Sequence, residues 1–194
     1  MRGVAAVVSG VCVVLGLGSR VLDAQTLDAG KGPGPVSVHV SAGLTVPHAD
    51  EDRGDVQSFS IGYSPTPKLM VLMGAWRMHR PTSVRHFSDG VTSFTRGGTT
   101  QIISAEVRFL FRPLERVAPY AFTGGGFGFS RSNVDDVFPD RVKHGNYPVF
   151  GGGGLSVPLS PRVSVSGDFG LFLLGEYDIM RPVLPVRVGL AWRF

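Results

Sequence analysis

Apolar and polar residues alternate strictly along the first patterned stretch of the chain. Between residues 36 and 46, Val, Ala or Leu occupies every second position, and Ser, His, Gly or Thr stands between them. A period of two places all the apolar side chains on one face of an extended strand. The pattern therefore predicts a β-strand at 36–46 with one fully apolar face.

The same alternation recurs in four later segments, and three further segments show it less clearly. One of the unclear segments is apolar on both faces, and the other two contain glycine runs, which permit sharp bending and close approach of backbones. Together with the first stretch they predict eight strands. The clear segments lie at 58–63, 103–112, 163–171 and 186–194, and the unclear ones at 69–78, 120–129 and 147–157.

The connections between these segments alternate between short and long. Short turns on one rim and longer loops on the other are typical of antiparallel barrels that cross the bacterial outer membrane. With an even number of strands, both ends of the barrel then lie at the periplasmic rim. The short turns are predicted at 65–68, 112–119 and 158–162, and the long loops at 47–55, 79–99, 131–146 and 175–182.

Side-chain size indicates which face of the strands meets lipid. A soluble barrel with this alternation places its apolar residues inside. Here the apolar face carries the bulky aromatic residues and the opposite face is mostly Ser, Gly, Thr and Ala, which suits a narrow interior and a lipid-facing exterior. The sequence thus predicts an all-β fold, a closed antiparallel up-and-down transmembrane β-barrel of eight strands. The predicted outward aromatic residues are Phe59, Tyr63, Phe109, Phe111, Tyr120, Phe169, Trp192 and Phe194, and Tyr63, Tyr120, Tyr147 and Trp192 are predicted to form interfacial girdles.

The segment before the first strand has the features of an export signal. Arg2 is followed by an apolar run from Val4 to Leu17, and Ala24 is a suitable last residue before cleavage. The run is shorter than the roughly 20 apolar residues that a membrane-spanning helix needs. We predict a signal peptide at 1–24, a flexible periplasmic leader rich in Gly and Pro at 25–35, and the barrel at 36–194.

Composition narrows the classes of function. Cys12 is the single cysteine of the 194 residues and lies in the predicted signal, so the mature chain has no thiol for a disulfide or a zinc site. The net charge of +4 comes without a cluster of Lys and Arg, so the chain lacks the basic surface of a nucleic-acid-binding protein. We expect no cofactor, no metal and a monomeric protein.

The last strand resembles the C-terminal assembly signal of bacterial outer-membrane proteins. The segment PVRVGLAWRF ends in Phe194, and Val188, Leu190 and Trp192 alternate before it. The segment PYAFTGGGFGFS, at 119–130, resembles the Pro-Tyr and Gly-rich strand of small barrels of the OmpA and OmpX type. This resemblance implies the outer membrane as the location. It also implies outer-membrane lipid, lipopolysaccharide and the outer-membrane assembly machinery as partners.

Four charged residues occupy inward positions of well-patterned strands. They are Glu106, Arg108, Asp168 and Arg187. An unpaired buried charge is costly, so we expect the arginines to pair with the carboxylates across the lumen. Such pairs could simply fill the barrel, or they could line a gated path for ions or water.

Catalytic residues are hard to assemble from this sequence. Lipid A deacylases of the resembled fold use a His and Ser pair with an acid, and the nearest approach is His144 near Asn146, with Glu176 further on. No serine follows His144 at the required spacing, and all three residues fall in predicted loops. His39 is predicted to form a hydrogen bond in the lumen. We therefore predict no enzymatic activity.

Two predicted loops carry charge that could bind ligands. Asp50, Glu51, Asp52 and Asp55 could gather calcium, but Arg53 and Gly54 break the consensus, and a hydrated acidic loop is the alternative. The tripeptide at 53–55 is too short to indicate adhesion. The second long loop contains Arg80, Arg85 and Arg96, which would lie near the phosphates of lipopolysaccharide.

The resembled families include anchors, adhesins, channels and lipid-modifying enzymes, so fold alone does not select an activity. The favoured hypothesis is a non-enzymatic outer-membrane barrel with a structural or surface-interaction role and a plugged polar lumen. The alternative is a narrow channel for water or small ions. A lipid-modifying enzyme is the third hypothesis.

Overall fold

The described part of the chain comprises ten β-strands. The computed structural model describes residues 35–46, 53–86, 90–95, 97–111, 116–133, 140, 142–176 and 179–194. The predicted signal peptide, all but the last residue of the predicted leader, and the acidic residues 50–52 lie outside this set. Within it, no helix is long and apolar enough to cross a bilayer.

Eight of the strands form one closed barrel in which every neighbouring pair is antiparallel. The first and last strands close it, with Ser37 opposite Arg193 and Val46 opposite Leu184. The predicted eight-stranded up-and-down barrel is therefore confirmed. The barrel strands are β1 (Val36–Val46), β2 (Gly54–Thr66), β3 (Leu69–Arg80), β6 (Gly98–Leu110), β7 (Ala118–Ser132), β8 (Lys143–Pro158), β9 (Val163–Glu176) and β10 (Ile179–Arg193).

A short hairpin lies outside the barrel, within the second predicted long loop. It pairs β4 (Ser83–His86) with β5 (Thr92–Thr95). The sequence analysis did not predict it, because each strand has only four residues and no sustained alternation.

The strands extend further than the sequence pattern indicated, and two loop predictions were wrong. Residues 143–146 belong to β8, although they were predicted as loop. The segment 175–182 was predicted as a long loop, but β9 and β10 are joined by residues 177–178 alone. Backbone pairing across the hairpin, such as Met180 opposite Gly175, continues the ladder beyond the point where the alternation fades.

Most of the bulky apolar side chains point away from the barrel axis. Phe169 is 66% exposed and Trp192 is 49% exposed, and the other predicted outward aromatic residues follow them with one exception. The exception is Tyr120, which is 2% exposed and lies inside the barrel. The residues on either side of it, Pro119 and Ala121, are also apolar. The sequence of β7 therefore shows no contrast at this point between an apolar and a polar face.

Candidate functional site

The four predicted lumen charges are all buried, and they form two ion pairs. Arg187 Nε donates to Asp168 Oδ1 over 2.6 Å, and these residues are direct partners on β10 and β9. Arg108 donates to Glu106 Oε1 from Nε at 3.0 Å and from Nη2 at 2.8 Å, and both residues lie on β6. Neither pair spans the lumen, in contrast to the predicted arrangement. Arg108 meets Glu106 two residues away on the same face of one strand, and Arg187 meets its direct partner Asp168 on the neighbouring strand.

Tyr120 connects the two ion pairs. Its hydroxyl donates to Asp168 Oδ2 over 2.7 Å. The guanidinium carbon of Arg108 lies 4.4 Å from the centre of the Tyr120 ring. The carboxylate of Asp168 thus accepts one hydrogen bond at each oxygen, and a cation over the ring adds a favourable electrostatic contact. The result is a continuous charged layer across the barrel interior.

An aromatic layer lies against the charged layer, on the side of the long loops. Phe150 and Phe172 are stacked with their ring centres 4.5 Å apart, and Trp76 meets Phe172 edge-on at 4.7 Å. The guanidinium carbon of Arg187 lies 3.9 Å from the centre of the Trp76 ring, so it joins the two layers. Trp76 Nε1 also donates to Ser104 Oγ over 2.9 Å.

The sequence analysis missed this aromatic layer. It assigned small residues to the lumen, whereas Trp76, Phe122, Phe150 and Phe172 are all at most 5% exposed and point inward. The glycine runs are the sequence feature from which the inward aromatic rings could have been predicted. A Cβ on Gly152 would lie 2.8 Å from Phe122 Cζ, and one on Gly124 would lie 2.6 Å from Phe150 Cζ. Glycine on one strand therefore makes room for an aromatic ring from the next.

Polar side chains occupy both ends of the lumen. At the end with the long loops, Asn146 Nδ2 donates to Ser130 Oγ over 2.7 Å, and Ser130 Oγ lies 2.8 Å from Thr100 Oγ1. At the other end, His39 Nε2 lies 2.8 Å from Ser37 Oγ, which is the hydrogen bond that His39 was predicted to form in the lumen.

Two small cavities interrupt the packing of the lumen. One has a volume of about 20 Å³ and touches the charged layer at Glu106, Asp168 and Arg187. That volume is close to the space that one water molecule requires. The other has a volume of about 90 Å³ and lies at the end with the short turns, beside His39 and Arg193.

The residues considered for catalysis do not form a catalytic constellation in the described part of the chain. His144 and Asn146 lie on β8 rather than in a loop, and Asn146 is fully buried in the lumen. The side chain of Glu176 lies outside the described set. No group of three or more potential metal ligands occurs among the described residues.

The residues that resemble the assembly signal line the outside of β10. Val188, Leu190, Trp192 and Phe194 are 36%, 57%, 49% and 63% exposed. The backbone N–H of Phe194 donates to the carbonyl of Val36 over 3.0 Å, which extends the seam between the first and last strands by one residue.

Solved structures of small bacterial barrels share this architecture. Neisserial surface protein A matches with a TM-score of 0.63 at 14% identity, covering 84% of this chain and 100% of that one. Ail of Yersinia pestis matches with 0.54 at 16% identity, covering 84% and 99%. The N-terminal barrel of Pseudomonas aeruginosa OprF matches with 0.53 at 16% identity, covering 84% and 100%. No protein-family model and no curated protein sequence matches the chain.

Similarity at these identities concerns the fold and not the activity. An eight-stranded closed barrel with charged residues and hydroxyls inside and an apolar wall outside meets the requirements of a bilayer, because all strand backbones are paired and lipid meets apolar side chains. The chain therefore has the fold of the small eight-stranded barrels of the bacterial outer membrane, and its apolar exterior places it in that membrane.

Proposed function

We propose that this chain is a non-enzymatic anchor whose lumen is plugged and whose long connections are presented at the cell surface. The observation that carries the proposal is the pair of layers inside the barrel. Trp76 lies over the guanidinium of Arg187, which pairs with Asp168. The stacked rings of Phe150 and Phe172 pack against Trp76, and the cavity beside the charged residues is about 20 Å³. A continuous aqueous path would need far more than the space of about one water molecule.

The surface-interaction part of the proposal is supported by the distribution of the connections. The longer ones, after β1, β3 and β7, all emerge at one end, and one of them contains the β4 and β5 hairpin. Ail of Yersinia pestis, a barrel of this fold, is named an attachment invasion locus protein, and one of its structures contains the heparin analogue sucrose octasulfate. A barrel of this fold is thus able to bind a ligand from outside the membrane.

Planar-bilayer conductance of the refolded protein tests the plug. We expect the wild-type protein to be silent and the Trp76→Ala, Phe172→Ala double variant to conduct, because both substitutions remove rings from the aromatic layer and the first also removes the ring that packs on Arg187 of the charged layer. The matched control is the Phe169→Ala, Trp192→Ala double variant. It removes the same side chains from the lipid-facing wall and should remain silent.

Steady openings of the wild-type protein that vanish in Arg187→Ala or Glu106→Ala would contradict the plug and support the channel hypothesis.

The enzyme hypothesis has a separate readout. Expression of the protein should leave the mass spectrum of lipid A unchanged, and a modified lipid A would contradict the non-enzymatic assignment.

A further inference from the structure

The lipid-facing wall is interrupted by polar side chains on three neighbouring strands. Gln57 on β2 is opposite Arg77 on β3, and Arg77 is opposite Gln101 on β6. All three side chains are exposed and point outward. On the other side of the barrel, Leu184 keeps the outward position of β10 apolar near the same end.

A second polar row lies one outward position closer to the long loops. It runs from Asp55 through His79 and Thr99 to Arg131, and Arg131 is opposite Lys143. Arg131 and Lys143 are exposed, and Asp55 lies three strands away from Arg131. The side chains of Arg77, Arg131 and Lys143 form no ion pair or hydrogen bond with any residue that the structure describes.

An apolar groove lies directly below the first row. Ala75 forms its floor between the larger side chains of Phe59, Ile103 and Phe127, and its volume is about 680 Å³. The small side chain of Ala75 creates the depression, because its register partners Phe59 and Ile103 project on either side.

The groove continues into a basic recess of about 670 Å³. This recess contains Arg131 and Lys143, and it shares Arg77, Gln101 and Phe129 with the groove. The combined surface is apolar toward the middle of the bilayer and positively charged toward the end that carries the long loops, which is the outer-leaflet end in barrels of this type. A ligand that matches it has acyl chains and a phosphorylated headgroup.

We propose that this surface is a specific binding site for one molecule of lipopolysaccharide, the phosphorylated and acylated glycolipid of the outer leaflet. Arg77, Arg131 and Lys143 hold phosphate groups, Gln57 and Gln101 donate hydrogen bonds to the sugar, and one acyl chain lies over Ala75. The inference deepens the proposed anchoring role and rests on it, because the groove faces lipid only in an inserted barrel.

Native mass spectrometry of the refolded protein with added bisphosphorylated lipid A tests the site. We expect the wild-type protein to retain one lipid A, and the Arg77→Ala, Arg131→Ala, Lys143→Ala variant to bind at least about tenfold more weakly, since each lost charged contact weakens binding severalfold. The matched control is Lys68→Ala, Arg116→Ala, Arg162→Ala, which removes three exposed positive charges at the short-turn end.

Two further comparisons make the test specific. Ala75→Phe fills the groove and should weaken binding, whereas Ala121→Phe adds the same ring to the outer wall near the opposite rim and should not. Fully dephosphorylated lipid A tests the headgroup with the wild-type protein alone, and we expect its retention to be lost. Heat-modifiable migration on a gel reports whether each variant still forms a closed barrel, and conductance reports the plug independently.

Several results would overturn the proposal. Equal retention of lipid A with and without phosphate would exclude a phosphate site. Equal retention of phosphatidylglycerol would show a general preference for anionic lipid, and a lipid-free dimer lost on Ala75→Phe would identify a second copy as the occupant. An equal loss of binding in the control triple variant would exclude a localised surface.

Discussion

Inside this barrel, an inward aromatic ring on one strand lies next to an inward glycine on the neighbouring strand. Gly152 on β8 faces Phe122 on β7, and these residues are direct partners in the ladder. A Cβ at Gly152 would also contact the carbonyl oxygen of Phe169 on the other side. A narrow barrel can hold a large ring only where the opposing strand contributes almost no volume. The lumen arginines then pack against these rings, as Arg187 does against Trp76 and Phe122.

Gly152→Val should therefore destabilise the folded barrel. We expect the free energy of unfolding to fall by about 1–3 kcal/mol or more, as is usual when a packed interior is overfilled. The measurement is urea-induced unfolding in detergent micelles. The control is Gly145→Val on the same strand, where the nearest atoms to a Cβ lie 3.9 Å away. A larger loss for Gly145→Val than for Gly152→Val would contradict the matched packing.

The element on which barrel closure depends is β10. It pairs with β9 along one edge and with β1 along the other, and it carries the lumen arginine at position 187 as well as the outward residues of the assembly signal. Its alternation was readable in the sequence from 186 onward. Its first half was not predicted from the sequence, because Pro182 and Pro185 are typical of loops, and pairing with β9 overrides that signal.

We expect the combined Trp192→Ala, Phe194→Ala substitution to reduce the amount of folded barrel in cells while allowing the purified chain to refold in detergent. Both side chains face lipid at the end of the strand, where the assembly machinery is predicted to recognise them. The measurement is the heat-modifiable fraction in isolated membranes compared with that after refolding. Phe109→Ala, Phe111→Ala is the control, since it also truncates two outward aromatic residues at the short-turn end. An equal loss of membrane-folded protein in the control would argue against a signal specific to β10.

At the scale of the whole molecule, the decisive property is that the barrel is apolar outside. Most backbone groups of the ladder are paired around a closed circle, so lipid meets side chains only. The apolar band is uninterrupted at the described outward positions of β9 and β10, and it is cut short on β2, β3 and β6 by the polar row of Gln57, Arg77 and Gln101. The wall is thus asymmetric around the barrel, which is what the proposed lipid site requires.

Charge substitutions on the wall should have effects that depend on depth. Leu171→Arg, in the middle of the outer wall, should lower the free energy of unfolding in lipid bilayers by about 2–4 kcal/mol, whereas Tyr63→Arg near the rim should cost about 0–1 kcal/mol. Leu171 is 43% exposed and Tyr63 is 54% exposed, so exposure alone does not separate them. Denaturant titration in bilayers measures both values. Equal costs at the two positions would contradict the insertion described here.

The alternation along the chain predicted the period of the strands, their number in the barrel and the outward direction of all but one of the aromatic residues assigned to the apolar face. These features are local, since a two-residue alternation specifies the faces of a strand wherever it is sustained. It also identified Glu106, Arg108, Asp168 and Arg187 as inward charges, because a charge on the polar face of a patterned strand stands out. The alternation did not predict the inward rings of the aromatic layer.

What those charges contact depends on how the strands are arranged in three dimensions. The pairing of Asp168 with Arg187 and the ring stack at Phe150 and Phe172 depend on the register between neighbouring strands. The contact of Tyr120 with Asp168 joins strands that are not consecutive in the chain. The groove at Ala75 likewise exists only because β2, β3 and β6 align Phe59, Ala75 and Ile103 in one row. Alternation reveals on which face a residue lies, but closure of the barrel determines which residue stands opposite it.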